Sequence, residues 1–192
     1  PVLLTSEAAI EEHVDHLEIH FLANPDGEVH FALLSDWIDA PAETMPEDDR
    51  LLAAAAAGIA GLNARHGPAP TGGARFLLLH RRRIWSAGER KWMGWERKRG
   101  KLDELNHLLM GARDTTFTRV GGRTPQVLRG VRYVITLDAD TRLPRGAATR
   151  LVGLGHPPEL VFDETFYVKD AWTLWNLGYE AQWPAEADAL FV

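Results

Sequence analysis

The stretch Val131-Arg132-Tyr133-Val134-Ile135-Thr136-Leu137 runs without a break into Asp138-Ala139-Asp140, and its reading decides the fold class. β-Branched and large apolar residues dominate it, which predicts a strand. Phe76 to Leu79 is a second run, wholly apolar, as expected of a strand covered on both faces. Val29 to Ser35 is a third, ending at Asp36. Between the last two, Thr44 to Glu47 form a capping box, with Glu47, Asp48 and Asp49 well placed in a first turn. The predicted helix continues through Leu51 to about Arg65 and stops at Gly67, and its alanine-rich face allows close packing on a sheet. Pro68 to Gly73 and Gly121 to Gly130 read as loops, and a further helix is predicted from about Leu102 to Met110. Leu17, Ile19 and Phe21 alternate with Glu18 and His20, predicting a half-buried strand from His16 to Ala23, closed by the turn Asn24-Pro25-Asp26-Gly27. Strands separated by helices give an α/β layered fold with a mainly parallel sheet.

Composition narrows the class. The 192 residues are 45% hydrophobic and 25% charged, a globular profile with enough chain for one sizeable core. The longest apolar run, Leu51 to Leu62, falls well short of the roughly 18 to 20 residues that span a bilayer. No basic segment followed by an apolar stretch opens the chain, so no secretory signal is expected. The absence of cysteine excludes disulfide scaffolds and thiolate metal sites, and fits a cytosolic setting.

Charge is unevenly spread. His80 to Lys101 holds nine basic and two acidic residues, while the rest of the chain holds 12 basic and 25 acidic. A concentrated positive segment in an acidic protein points to one anionic ligand rather than to nucleic acid, with a solvated basic loop as the plain alternative. Trp85, Trp92 and Trp95 interleave with these cations, placed either to stack on a base or sugar or to anchor the loop. After about Gly153 the helix–strand alternation stops, so a boundary is expected there, with an irregular C-terminal segment beyond it.

Asp138 and Asp140 are the sharpest chemical signal. Residues two apart in a strand share a side, and ligands of open α/β sheets bind beyond the carboxyl ends of the strands. Two convergent carboxylates suit Mg²⁺ or Mn²⁺, which can bridge to diphosphate oxygens and neutralise a departing nucleoside diphosphate. An acidic surface turn is the alternative. A phosphohydrolase with an aspartyl nucleophile wants Thr or Val four residues after the first Asp, whereas Thr141 is three after and Arg142 takes the fourth place. A calcium loop would need periodic oxygen ligands and a central glycine, which are missing.

Asp36 ends its strand and can accept from a base or ribose, or cap its own turn. His13, His16 and His20 would converge on a metal only along a continuous helix; a strand there makes them polar-face residues. Neither a Ser-His-Asp arrangement nor a Gly-rich phosphate loop is evident.

Residues 1 to about 153 resemble the glycosyltransferase domain of cyclic β-1,2-glucan synthases, large bacterial inner-membrane enzymes. The resemblance rests on Leu3 to Glu7, His20 to Pro25, Leu33 to Trp37, Glu43 to Pro46, Gly94 to Lys101 and Tyr133 to Thr141. It implies a partial GT-A-like (Rossmann-like) domain that uses UDP-glucose and a glucan acceptor, at the cytoplasmic face of the inner membrane, completed by a membrane-embedded partner or by the remainder of a synthase. Carried over, Asp138 and Asp140 form the Asp-x-Asp metal and diphosphate site and act in catalysis. Asp36 resembles the carboxylate that holds uridine, and Lys98 with Gly100 resembles a Lys-x-Gly element near the nucleotide. The family's acidic general base and its Gln-x-x-Arg-Trp motif are not found, and no Arg or Lys follows Lys169. A module that binds the donor without transferring it alone is therefore expected, with a purely structural remnant as the alternative.

Residues 154 to 192 resemble a different family. His156-Pro157-Pro158, Phe162 to Trp172 and Gly178-Tyr179-Glu180 are similar to the first extracytoplasmic loop of bacterial protein O-mannosyltransferases. There the pair matching Asp163-Glu164 serves an acceptor and a lipid-phosphate mannose donor, while here an exposed acidic turn is the plain alternative.

Overall fold

The computed structural model describes residues 1–24, 29–70, 72–118, 120, 131 and 133–148, with the backbone of 189–191. The predicted Pro25–Gly27 turn, the Gly121–Gly130 loop and nearly all of 154–192, including Asp163 and Glu164, lie outside the described residues. In chain order the elements are β1 (Val2–Leu4), α1 (Glu7–Ala23), β2 (Val29–Trp37), α2 (Asp48–His66), β3 (Phe76–His80), β4 (Ile84–Ser86), β5 (Lys91–Met93), α3 (Arg97–Leu109), β6 (Tyr133–Ile135) and β7 (Ala189–Phe191).

Strand β2 is the centre of the main sheet. It pairs in parallel with β3 on one edge, and on the other with β1 near its carboxyl end and β7 near its amino end. β7 in turn pairs with β6, also in parallel. Two consecutive β-α-β units therefore build the first half of a Rossmann-like α/β layer, the class the sequence predicted.

Alternation along β2 sorts its side chains onto two cores. Phe31, Leu33 and Trp37 pack with Ile10, Val14 and Leu17 of α1 and with Leu51, Ala55 and Ile59 of α2. Ala32 and Leu34 face the opposite way and pack with Leu77 and Leu79 of β3 and Leu102, Leu105 and Leu108 of α3. Helices thus cover both faces, which is why β2 is buried along its whole length. The same parity turns Asp36 toward α3.

The N-terminal segment is a helix, not the predicted strand at His16–Ala23. Ser6 caps it, its Oγ accepting from the Ala9 amide at 3.2 Å. Ile10, Val14 and Leu17 are buried at i, i+4 and i+7, and that stripe outweighs the short alternation at Leu17–Phe21. Ile19, the middle residue of that alternation, is exposed.

Helix α2 starts three residues later than the Thr44 capping box would place it. Glu47 occupies the cap without a side-chain bond, and the Asp48 carboxylate takes the Met45 amide at 2.8 Å instead. Gly67 ends the helix at a φ of 72°, a left-handed value that suits glycine, as predicted. Helix α3 begins at Arg97, five residues before the predicted Leu102, so the basic segment supplies its first turn.

Candidate functional site

The carboxyl ends of β2 and β3 and the amino end of β1 meet the start of α3 in a buried ionic network. Asp36, which is 2% exposed, receives Arg81 Nε on Oδ1 and Arg81 Nη2 on Oδ2, both at 2.8 Å. Lys101 Nζ lies 3.3 Å from Asp36 Oδ2 and donates to the Val2 carbonyl at 2.8 Å, tying β1 to α3. Arg81 Nη1 reaches Glu104 Oε2 at 3.0 Å, and the Thr116 hydroxyl donates to that same oxygen at 2.7 Å. Two carboxylates and two cations balance, which is what makes such burial tolerable. Burial works against the Arg81 charge, but bonds to Asp36 and Glu104 outweigh it and hold Arg81 above its ordinary value. For Lys101 burial wins over the attraction of Asp36 and lowers it.

Arg81 also organises the chain leading into α3. Its Nη2 donates to the Trp95 carbonyl at 3.2 Å and the Arg97 carbonyl at 3.1 Å. Glu96 and Arg97 both have φ of 49°, and they are two of the three non-glycine residues with positive φ among those described. Each such residue costs about 1 kcal/mol or more, so the turn is held by its contacts rather than by local preference. Two glycines let it close. A Cβ at Gly94 would sit 2.8 Å from Asp36 Oδ2, and one at Gly100 only 2.1 Å from the Trp95 carbonyl oxygen.

Asp138 and Asp140 stand on the turn after β6, whose backbone closes with the Thr141 amide donating to the Asp138 carbonyl at 2.9 Å. The strand ends at Ile135, so a turn rather than strand alternation sets the two carboxylates. Asp138 is half-buried and Asp140 exposed. Lys98 Nζ, from the first turn of α3, meets Asp138 Oδ1 at 2.5 Å. Hard oxygen donors on one exposed turn fit a cation that keeps several waters and takes its remaining ligands from a diphosphate. Among the described residues no group of three His, Asp or Glu side chains is placed to hold a metal ion.

The basic segment is mostly neutralised from within. Of its nine cations, eight have a carboxylate within 4 Å: Asp36 (Arg81, Lys101), Asp39 (Lys91, Arg97), Glu43 (Arg82), Asp48 (Arg83), Glu96 (Arg99) and Asp138 (Lys98). Arg83 is 1% exposed, paired with Asp48 at 2.6 Å and lying over the Trp37 ring at 5.3 Å. Charge counted along the sequence therefore overstates what a ligand meets. Lys98 is the cation of this run paired with the Asp-x-Asp turn.

His13, His16 and His20 share the continuous helix α1 and not the expected strand. They nonetheless gather no cation site among the described residues. Burial lowers both His13 and His20, and Arg142 lies 3.3 Å from His16 Nε2. Sequence reasoning missed the Asp36–Arg81–Glu104 chain, because nothing local connects residues so far apart.

No family model matches the chain. The cyclic beta-(1,2)-glucan synthase NdvB of Rhizobium meliloti (strain 1021) is 53% identical to it over 158 residues, 82% of this chain. The chain is similar to a cyclic β-(1,2)-glucan synthase. The matched stretch spans 5% of that protein, a small part of a much larger one. Among the described residues no helix is long and apolar enough to cross a membrane.

Proposed function

We propose that the chain is the donor-binding part of a GT-A-type hexosyltransferase, taking UDP-glucose with Mg²⁺ or Mn²⁺ at the Asp138–Asp140 turn. The observation that carries this reading is the Lys98–Asp138 pair at 2.5 Å. It joins the start of α3 to the Asp-x-Asp turn at the carboxyl side of a parallel sheet, where ligands of open α/β sheets bind. Similarity to a cyclic β-(1,2)-glucan synthase supports glucose as the transferred sugar.

The residues divide the work. Asp138 and Asp140 offer oxygens to the cation, which when bound neutralises charge on the departing diphosphate. With a cation held at Asp138, the Lys98 ammonium would be free to pair with a phosphate oxygen of the donor. Asp36 already accepts three donor contacts, leaving about one of the roughly four acceptor sites of a carboxylate for a uridine. It also fixes the Trp95–Arg97 turn through Arg81, and Gly100 lets that turn close. Asp36 thus serves the nucleotide mainly by positioning.

Transfer needs a base at the acceptor hydroxyl, typically worth about 10²- to 10⁴-fold. These residues supply no identified base and no Gln-x-x-Arg-Trp motif, so the chain alone binds the donor and turns it over slowly. Calorimetry with UDP and UDP-glucose, with Mn²⁺ and with EDTA, tests the reading. Metal-dependent binding that vanishes in Asp140→Asn is expected. Equal affinity in EDTA, or unchanged affinity in Asp140→Asn, overturns it.

A further inference from the structure

We propose that the cleft between the β4–β5 hairpin and the entrance to α3 is a binding site for a neutral β-linked gluco-oligosaccharide, stacked on Trp85 and Trp95. The cleft has a volume of about 310 Å³ and is walled by these two rings with Met93, Glu89, Glu96 and Arg97. That is the small end of the range for ligand pockets, roughly 300 to 1,000 Å³. Trp85 is 51% exposed and Trp95 43%, so neither ring is absorbed by the two cores.

The Trp85 ring and the backbone that carries Trp95 are both held in place. The Trp85 ring meets the Trp92 ring edge-on at 5.9 Å between centroids. Trp92 exchanges backbone hydrogen bonds of 2.9 Å with Ala40, just past the end of β2. The carbonyl of Trp95 is held by Arg81. Preorganised aromatic walls bind without first being ordered, which favours a ligand with flat faces.

Electrostatics choose the ligand class. Arg97 Nη2 lies 3.2 Å from both Asp39 and Glu89, Lys91 Nζ lies 3.1 and 3.2 Å from the same pair, and Arg99 meets Glu96 at 2.9 Å. Of the charged side chains that line the cleft, Glu89 and Glu96 outnumber Arg97, so it offers no excess of positive charge with which to hold a phosphate. What remains is a set of acceptors and donors for hydroxyl groups beside two π faces. The faces of an aromatic ring are negative, and a β-glucosyl ring presents axial C–H bonds to them while its equatorial hydroxyls point sideways to the ion pairs.

Location gives the site a purpose. Arg97 immediately precedes Lys98, which reaches Asp138, so the cleft adjoins the proposed donor site along one turn of α3. An oligosaccharide here would be the acceptor side of that reaction. Only this role and the choice of probe linkage rest on the donor reading.

The test uses the full 192-residue chain, titrated with a β-1,2-linked glucotetraose and followed by tryptophan fluorescence and calorimetry, with α-1,4-linked maltotetraose as comparison. Saturable quenching by the β-1,2 tetrasaccharide is expected. Trp85→Ala and Trp95→Ala should each weaken it about tenfold or more, while Trp85→Tyr, which keeps a ring, stays within about threefold. Trp85→Ala should leave Mn²⁺-dependent UDP binding within about twofold, since the sites are distinct. No saturable saccharide binding by a chain that does bind UDP with Mn²⁺ overturns the proposal. So does equal saccharide affinity in both alanine variants, or displacement of the tetrasaccharide by UDP, which would make the cleft a nucleobase pocket. Saccharide binding without any UDP binding would sustain the cleft and sink the donor reading.

Discussion

The guanidinium of Arg81 lies flat against the carboxylate of Asp36, both donor–acceptor distances 2.8 Å, at the carboxyl ends of two adjacent parallel strands. That pair is the hinge on which the candidate site is built. It joins β2 to β3, takes Lys101 and Glu104 from α3, and holds two carbonyls of the turn that delivers Lys98.

Removing one member leaves the other charged and buried. Arg81→Met should therefore destabilise the chain by about 3 to 5 kcal/mol, read by urea denaturation. A loss under about 1 kcal/mol would mean that Lys101 compensates Asp36 unaided, within the usual range for an exposed pair.

Gly100 and Gly61 make a matched comparison. A Cβ at Gly100 meets the Trp95 carbonyl oxygen at 2.1 Å, whereas one at Gly61 meets nothing within 4 Å. Gly100→Ala should cost about 1 to 3 kcal/mol through overpacking. Gly61→Ala, in the body of α2, should instead stabilise by about 0.5 to 1 kcal/mol. Thermal melts of both variants give the two signs directly, and a neutral Gly100→Ala would show the Trp95 turn to be free to shift.

Lys98 and Asp138 predict a split between stability and affinity. Their side chains are about half exposed, so Lys98→Ala should change stability by less than about 1 kcal/mol. Its effect on UDP binding with Mn²⁺ should be plain but smaller than that of Asp140→Asn. A Lys98→Ala chain with full UDP affinity would remove Lys98 from the donor site.

Burial pushes His80 from its ordinary 6.5 down to about 4, its Nδ1 lying 2.9 Å from the Ser35 hydroxyl. Between those values the unfolded chain binds the proton and the folded chain does not, so stability rises with pH from about 4 to 6.5. The gap amounts to about 3 kcal/mol, all of it lost below pH 4. His13 and His20, lowered in the same direction by burial, add to the slope. Denaturation midpoints across this range should fall steadily with acid, and His80→Asn should flatten the curve. A slope that survives unchanged in His80→Asn would assign it to the other groups.

What the sequence determined was the layering. Apolar runs at Val29–Ser35, Phe76–Leu79 and Val131–Leu137, with an alanine-rich helix stopped by Gly67, could satisfy their burial only as strands sandwiched between helices. Local pattern singled out Asp138 and Asp140 as candidates, because residue type and spacing are local properties, and the family resemblance added Lys98. The helical stripe at Ile10, Val14 and Leu17 was equally legible, and a competing two-residue alternation at its end masked it. Tertiary structure alone decided which charges remain for a ligand. Arg81 and Arg83 look like ligand-binding cations in a run of nine, yet both are buried against carboxylates 45 and 35 residues away. The strength of an ion pair depends on distance and on exclusion of water, and neither is set until strands and helices pack. The same holds for the Trp85–Trp95 cleft, whose walls come together only when the β4–β5 hairpin is pinned to the end of β2 and α3 is anchored through Arg81.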